Sequence, residues 1–375
     1  MIDLAAALRM MTSGHHATPL SLAVALERVR RAARCLPAAL TDTIYLEIWL
    51  EAPIPRIDMI CRITRAHRHL LTTAGQQSWL PPSAQLLAPW TTVARFAEHW
   101  SHDIHGLDVI VQHLWLEFDL APDASNPSEV LPPPGVFADF TPSVVRHQHR
   151  AVRTHAAETV FRALVADLDV QLLHLLRASI ESLPDGASMP YVGVLLPRGT
   201  DTLRICVDGL TEDEPASYLN AINWRGDLSR LAVQLDRFRA DHPAGPSRSL
   251  LHVDLSMAPM RTVALELRFD RTAQVRGMMR ESEWLDALVA ADVCDAELAA
   301  LVKRWPQCVL MTLPHQWWTS LVTRRLNHVK VVVRDETVQA KVYLSVAHRH
   351  FRRLQRAADA GAIPESARRP SDAVL

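Results

Sequence analysis

Along this chain, runs of alternating apolar and polar residues come in pairs, and between the pairs apolar positions recur at three- and four-residue steps. The alternation has the period of a β-strand and the longer step that of an α-helix. Thr43 to Glu51 (TIYLEIWLE) pairs with Ile57 to Thr64 (IDMICRIT). Val109 to Leu120 (VIVQHLWLEFDL) pairs with Val136 to Phe140 across a proline-rich connection. The turn Pro197-Arg198-Gly199-Thr200 joins Tyr191 to Leu196 with Leu203 to Leu210. Leu250 to Ser256 precedes Thr262 to Phe269, and His328 to Arg334 precedes Ala340 to Val346. Five hairpins separated by helices predict an α+β fold of repeated αββα units. Closed on itself, such a sheet is an antiparallel β-barrel with a polar lumen, surrounded by helices.

Sorting each strand by parity gives two faces of different character. Ile44, Leu46, Ile48 and Leu50 oppose Tyr45, Glu47, Trp49 and Glu51. Met59, Cys61 and Ile63 oppose Asp58, Arg62 and Thr64. Later strands set Leu203, Ile205 and Val207 against Arg204, Cys206 and Asp208, and Leu265 and Leu267 against Glu266 and Arg268. The last pair sets Val329, Val331 and Val342 against Lys330, Lys341 and Tyr343. An apolar face needs a cover, and the amphipathic segments between hairpins supply it. These are Leu20 to Cys35, Val93 to His102, Ala151 to Ser182 (long enough for two helices), Leu228 to Ala240, Ala273 to Ala290, Ala296 to Trp305, Trp317 to Leu326 and Ala347 to Ala358. Asp213, Asp227 and Asp295 are candidate helix caps. If the sheet closes, the charged and aromatic face is a lumen; if it stays open, that face is wet and Trp317, Trp318 and Trp305 become candidate docking anchors.

One αββα unit cannot bury its own apolar face, so the repeats read as a single barrel domain over 1–358, with a disordered tail over 359–375. The chain is 49% hydrophobic and 22% charged with a formal net charge of -1, which implies no electrostatic attraction to nucleic acid or to an anionic membrane. The first residues, MIDLAAALRMMTSGHH, have too short an apolar run for a secretory leader, and no apolar run reaches membrane-spanning length. The expected location is cytoplasmic. The five cysteines, Cys35, Cys61, Cys206, Cys294 and Cys308, lack CxxC spacing and read as packing residues, with Cys206 set apart by its place on the lumen face.

Glycine-rich phosphate loops, HExxH and GxSxG are all absent from the sequence, and the histidines are scattered beside arginines, a pattern of solvated surface rather than of a metal site. Pro81-Pro82 and the stretch from Pro122 to Pro142 read as long loops at a barrel rim.

The five hairpins, their polar common face and the terminal Lys341-Val342-Tyr343 together resemble the aromatic prenyltransferases with the ABBA barrel, over roughly residues 40 to 350. The resemblance implies that Glu51 or Glu47 orients the acceptor, and that Arg62, Arg204, Arg268, Lys330 and Lys341 contact a prenyl diphosphate, with Tyr343 bonding a phosphate oxygen. Fixed cations of this kind stabilise a departing diphosphate. Trp49, Trp115, Tyr45 and Tyr343 would shield an allylic cation with their ring faces. A carboxylate would accept the proton lost from the acceptor, with Glu47, Glu51 and Glu117 as the catalytic candidates. No DDxxD motif is present, which suits the resemblance to a family whose members often do not depend on a metal; the resemblance implies no required cofactor, with magnesium allowed.

Acidic positions on the lumen face outnumber the cations there, which favours a basic acceptor beside Glu117 and Asp119. The expected function is therefore transfer of a prenyl group from a diphosphate donor to an aromatic or basic acceptor, a small molecule or a peptide, in natural-product biosynthesis. The alternative is a non-catalytic barrel that binds a cationic small molecule or peptide within a biosynthetic assembly. Each lumen charge also has a plain structural role open to it, as one half of a cross-strand ion pair.

Overall fold

The computed structural model describes residues 20–350 apart from 38, 42, 52–55, 121–130, 148, 212, 234–247, 269–280, 313–318 and 335–336. The expected tail and the proline-rich stretch up to residue 130 lie outside the described residues, as does most of the predicted helix Leu228 to Ala240.

The strands run β1 Thr43–Trp49, β2 Ile57–Thr64, β3 Val111–Phe118, β4 Gly135–Phe140, β5 Ser188–Val194, β6 Thr202–Asp208, β7 Arg248–Ser256, β8 Thr262–Arg268, β9 Gln307–Thr312, β10 Thr319–Arg334 and β11 Thr337–His350. Each of β1 to β7 pairs antiparallel with the next, β8 pairs with β10, and β10 pairs with β11. β11 then pairs with β1 from Thr43↔Ala347 to Trp49↔Lys341, which closes ten strands into a barrel. Closure rules out the open sheet. β9 lies outside this ring, continuing beside β10 (Thr319↔Thr312) beyond the stretch that β8 occupies.

The outward faces are the apolar ones. Ile44, Leu46, Ile48, Met59, Cys61, Ile63, Leu114, Leu116 and Phe118 are all buried, under helices that include α1 Leu20–Cys35 and α2 Ala88–Ser101. Trp90, Phe96 and Trp100 of α2 are fully buried in the same core. The long amphipathic segment after the second hairpin is indeed two helices, α3 Arg150–Leu164 and α4 Val170–Glu181. α5 Glu214–Ala221, α6 Glu281–Ala290 and α7 Ala296–Lys303 follow. Asp295 caps α7 by accepting the Leu298 amide at 2.9 Å, and Asp227 accepts the Arg230 amide at 2.9 Å. Asp213 makes no side-chain cap; the neighbouring Glu214 takes the Thr211 amide instead.

Three predicted elements differ. Val109 and Ile110 belong to a short helix, Leu107–Ile110, so β3 begins only at Val111. Residues 319–326 and 347–350, read as helix, are strand: they extend the last hairpin, and β9 was not expected at all. In Thr319 to Leu326 the apolar residues fit a helical step, but the β-branched Val322 and Thr323 have strand partners on both sides and Thr319 pairs with Thr312, and pairing overrides a short periodic signal. Trp305 is buried with the Arg324 guanidinium 5.1 Å from its ring, so it is core and not a docking anchor; Trp317 and Trp318 lie outside the described residues.

Candidate active site

Polar side chains of strands that are not neighbours meet on one face of the sheet, as happens only on a concave interior. Arg268 of β8 donates to the Tyr191 hydroxyl of β5 at 3.0 Å, and Tyr45 of β1 stacks edge-on against Trp115 of β3 with ring centroids 5.2 Å apart. Arg268 and Tyr45 are positions that parity assigned to the polar face.

Three charged groups organise the interior. In the first, Glu47 on β1 accepts hydrogen bonds from the Lys341 ammonium and the Tyr343 hydroxyl of β11. The register Glu47↔Tyr343 and Trp49↔Lys341 brings these side chains together. Burial would raise the Glu47 carboxyl, but the ammoniums of Lys341 and Lys330 override it and hold it at about 2. The Lys341 ammonium also sits 3.8 Å from the Trp49 ring centroid, and Trp49 donates its indole N–H to Asp58 at 3.3 Å. In the second group, Arg204 on β6 forms a bidentate pair with Asp254 on β7, at 2.5 and 2.7 Å, across the register Arg204↔Asp254. Gly193 on β5 makes room here: a Cβ would lie 2.3 Å from Phe137, whose ring has the Arg204 guanidinium 5.9 Å from its centroid. In the third, Glu266 on β8 accepts from Arg268 at 2.6 Å and from His252 at 2.8 Å, with His328 at 3.7 Å. His328 in turn stacks on Tyr343, centroids 4.0 Å apart, linking this group to the first.

Two lumen charges stand outside these pairs. Lys330 on β10 is 7% exposed and forms no ion pair or hydrogen bond among the described residues; its ammonium lies 5.7 Å from the Tyr343 ring centroid. Burial lowers its pKa and the charge of Arg204 adds to the effect, opposed in part by the Glu47 carboxylate. Glu117 on β3 makes no hydrogen bond or ion pair among the described residues. Burial, reinforced by the Glu47 charge, pushes its carboxyl up to about 7. A carboxyl with that value exchanges protons near neutral pH, as a general base must.

The remaining sequence candidates fall at the rim or among the aromatics. Glu51 lies beyond the end of β1 and accepts from Gln339 at 2.9 Å. Asp119, just past β3, pairs with Arg198 at 2.7 Å and Arg56 at 3.5 Å, so it is not a free acceptor site. Arg62 on β2 stands opposite Trp115, away from the Lys330 end of the register. His252, Tyr191 and His328 were not singled out in the sequence. His252 shares parity with Asp254, and that was the signal available. Among the described residues no cluster of His, Cys, Asp or Glu could hold a metal ion, and no helix is long and apolar enough to cross a membrane.

The sequence matches no family model and no curated protein. In backbone it is similar to the apo form of the prenyltransferase PriB (15% identity, 91% of this chain and 94% of that one, TM-score 0.47). It is also similar to 6-dimethylallyltryptophan synthase from Micromonospora olivasterospora in complex with DMASPP and Trp (13%, 92% and 96%, TM-score 0.49). A third is 5-dimethylallyl tryptophan synthase from Streptomyces coelicolor, also in complex with DMASPP and Trp (13%, 100% and 97%, TM-score 0.40). The likeness is architectural and says nothing of substrate; the barrel itself rests on the hydrogen-bonded register described above.

Proposed function

We propose that the barrel is an enzyme that transfers a prenyl group from an allylic diphosphate to a small acceptor held in the lumen. The observation that carries this reading is Lys330, a buried ammonium without an ion pair among the described residues, with the cations Arg204 and Lys341 near enough to depress it. A buried charge held by no direct partner costs several kcal/mol, by order of magnitude, and an anionic ligand in contact with it offsets that cost. Diphosphate oxygens are the fitting anion, because the aromatic faces of Tyr343 and Trp49 stand beside the same ammoniums and would stabilise an allylic cation equally well.

The steps follow from the charges. Lys330, aided by the fields of Arg204 and Lys341, stabilises the diphosphate as the carbon–oxygen bond ionises. The acceptor attacks the allylic carbon, and Glu117 takes the proton it loses. Glu47 is a poor base, since both its oxygens accept hydrogen bonds and its carboxyl is held at about 2. Its part is to position Lys341 and Tyr343. With Glu117 as the open carboxyl, a basic or electron-rich aromatic acceptor is favoured. No step requires a metal.

Titration calorimetry with dimethylallyl thiolodiphosphate and with inorganic diphosphate, each with and without magnesium, tests the reading. Saturable binding is expected, weakened at least tenfold in Lys330→Met, while that variant melts at the same or a higher temperature because a desolvated charge has been removed. If the folded wild-type protein binds neither ligand but binds basic ligands through Glu117, the barrel is a cation-binding module instead.

A further inference from the structure

The third charged group carries more than a salt bridge. Cys206 and His252 face each other across β6 and β7 (register Cys206↔His252), and the Cys206 thiol sulfur lies 3.2 Å from His252 Nδ1. On its far side the same ring meets Glu266 Oε2 through Nε2 at 2.8 Å. Glu266 is ionised, because despite burial the Arg268 guanidinium holds its carboxyl well below the usual range. An ionised carboxylate only accepts hydrogen bonds, so Nε2 carries the ring proton. Burial lowers the imidazole pKa to about 3, so the ring is neutral at rest and takes the thiol proton only in concert with attack, as the negative charge passes to the leaving group. Nδ1 therefore presents a lone pair to the thiol, in the order nucleophile, base, orienting carboxylate.

A second observation points to a ligand at this place. Lys330, more than nine-tenths buried and without an ion pair among the described residues, stands directly opposite Glu266 in the register of β8 and β10, on the lumen face beside this group. We propose that Cys206, His252 and Glu266 form a second reactive centre, a base-assisted thiol that alkylates itself on carbon electrophiles whose anionic part is held by Lys330. As the sulfur–carbon bond forms, the bond from that carbon to its leaving group breaks. The leaving group departs with the electron pair, and the thiol proton passes to His252 Nδ1. The resulting imidazolium is stabilised by the Glu266 carboxylate. No oxidant or further reactant enters the balance. This centre does not depend on the prenyl-transfer reading, since it needs only an electrophile and the cation.

At rest the thiol is protonated, since burial pushes it up to about 12. The other groups facing it are Arg204 on its own strand, Glu266 and Arg268 on β8, Tyr191 on β5 and Lys330 on β10; Arg204, Arg268, Tyr191 and Glu266 keep their charge near neutral pH, while burial lowers the Lys330 pKa. A thiol activated by a neutral imidazole reacts at a rate nearly independent of pH from about 5.5 to 8.5, whereas an ordinary thiol reacts as its thiolate, about tenfold faster per pH unit. The exposed Cys308 is the internal reference of the second kind.

The experiment is timed labelling of the native full chain with iodoacetate and with iodoacetamide over that pH range, followed by peptide mass spectrometry. Cys206 is expected to show a flat pH profile and a preference for the anionic iodoacetate, with Cys308 showing the rising profile and the opposite preference. His252→Gln should slow Cys206 by about a hundredfold and leave Cys308 unchanged. Labelling of Cys206 only after denaturation would make it a packing residue and overturn the proposal. So would a profile as steep as that of Cys308. Either failure leaves the diphosphate titration, and the reading it tests, untouched.

Discussion

Replacing Lys341 by methionine removes the principal partner of a carboxylate that is 1% exposed, with little change of side-chain length. Two independent routes give the magnitude. The Glu47 carboxyl, held at about 2 against an ordinary value of 4.5, contributes on the order of 3 kcal/mol to stability at neutral pH. Breaking a buried pair by removing one partner costs about 3 to 5 kcal/mol in general. The sign follows from the depressed value: the stabilisation is present above the unfolded-state pKa and is lost as pH falls from about 4.5 through about 2. In the variant, burial is no longer opposed by Lys341, so Glu47 takes up a proton more readily and the deficit against wild type shrinks on acidification. Urea denaturation of wild type, Lys341→Met, Glu47→Gln and the double variant at pH 7 and pH 4 measures this. The double variant should recover a large part of the loss, because it leaves neither charge buried alone. A Lys341→Met cost below about 1 kcal/mol at pH 7, typical of an exposed pair, would show that the lumen is wet and refute the reasoning.

Other expectations follow from the same geometry. The Glu117 carboxyl at about 7 requires that prenyl transfer, measured as kcat/KM against pH, rise through neutrality as the base ionises; Glu117→Gln should abolish that limb and lower the rate by roughly 10² to 10⁴. Asp295→Ala, which strips the cap from α7 far from the lumen, should cost about 1 kcal/mol in chemical denaturation with no effect on diphosphate affinity. Gly193→Ala should destabilise the barrel and disturb Arg204 through the Phe137 ring, seen as a lower melting temperature together with weaker diphosphate binding.

Strand parity and the amphipathic runs were enough to predict repeated αββα units and the two faces of each strand, but closure into a barrel came from the pairing of β11 with β1. Each strand is apolar on one face and polar on the other because one face must meet a helix and the other must not, and that constraint is written locally, residue by residue. Hence Glu47, Lys330, Lys341, Tyr343, Arg204 and Glu117 could all be placed on the lumen face from the chain alone. What parity cannot contain is who meets whom. Register and closure set Glu47 against Lys341 and Tyr343, almost 300 positions away, and turned an expected diphosphate ligand, Tyr343, into a donor to a carboxylate. They satisfied Arg204 and Arg268 with Asp254 and Glu266, and left Lys330 and Glu117 outside any ion pair among the described residues. Cys206 read as packing because its base, His252, and the carboxylate orienting that base lie on two other strands. The last hairpin shows the same limit from the other side: residues 319–326 carry a helical period, and only partners on β9 and β11 make them a strand. Faces are fixed by local alternation, whereas the state of a buried charge depends on long-range neighbours that only the closed barrel brings within reach.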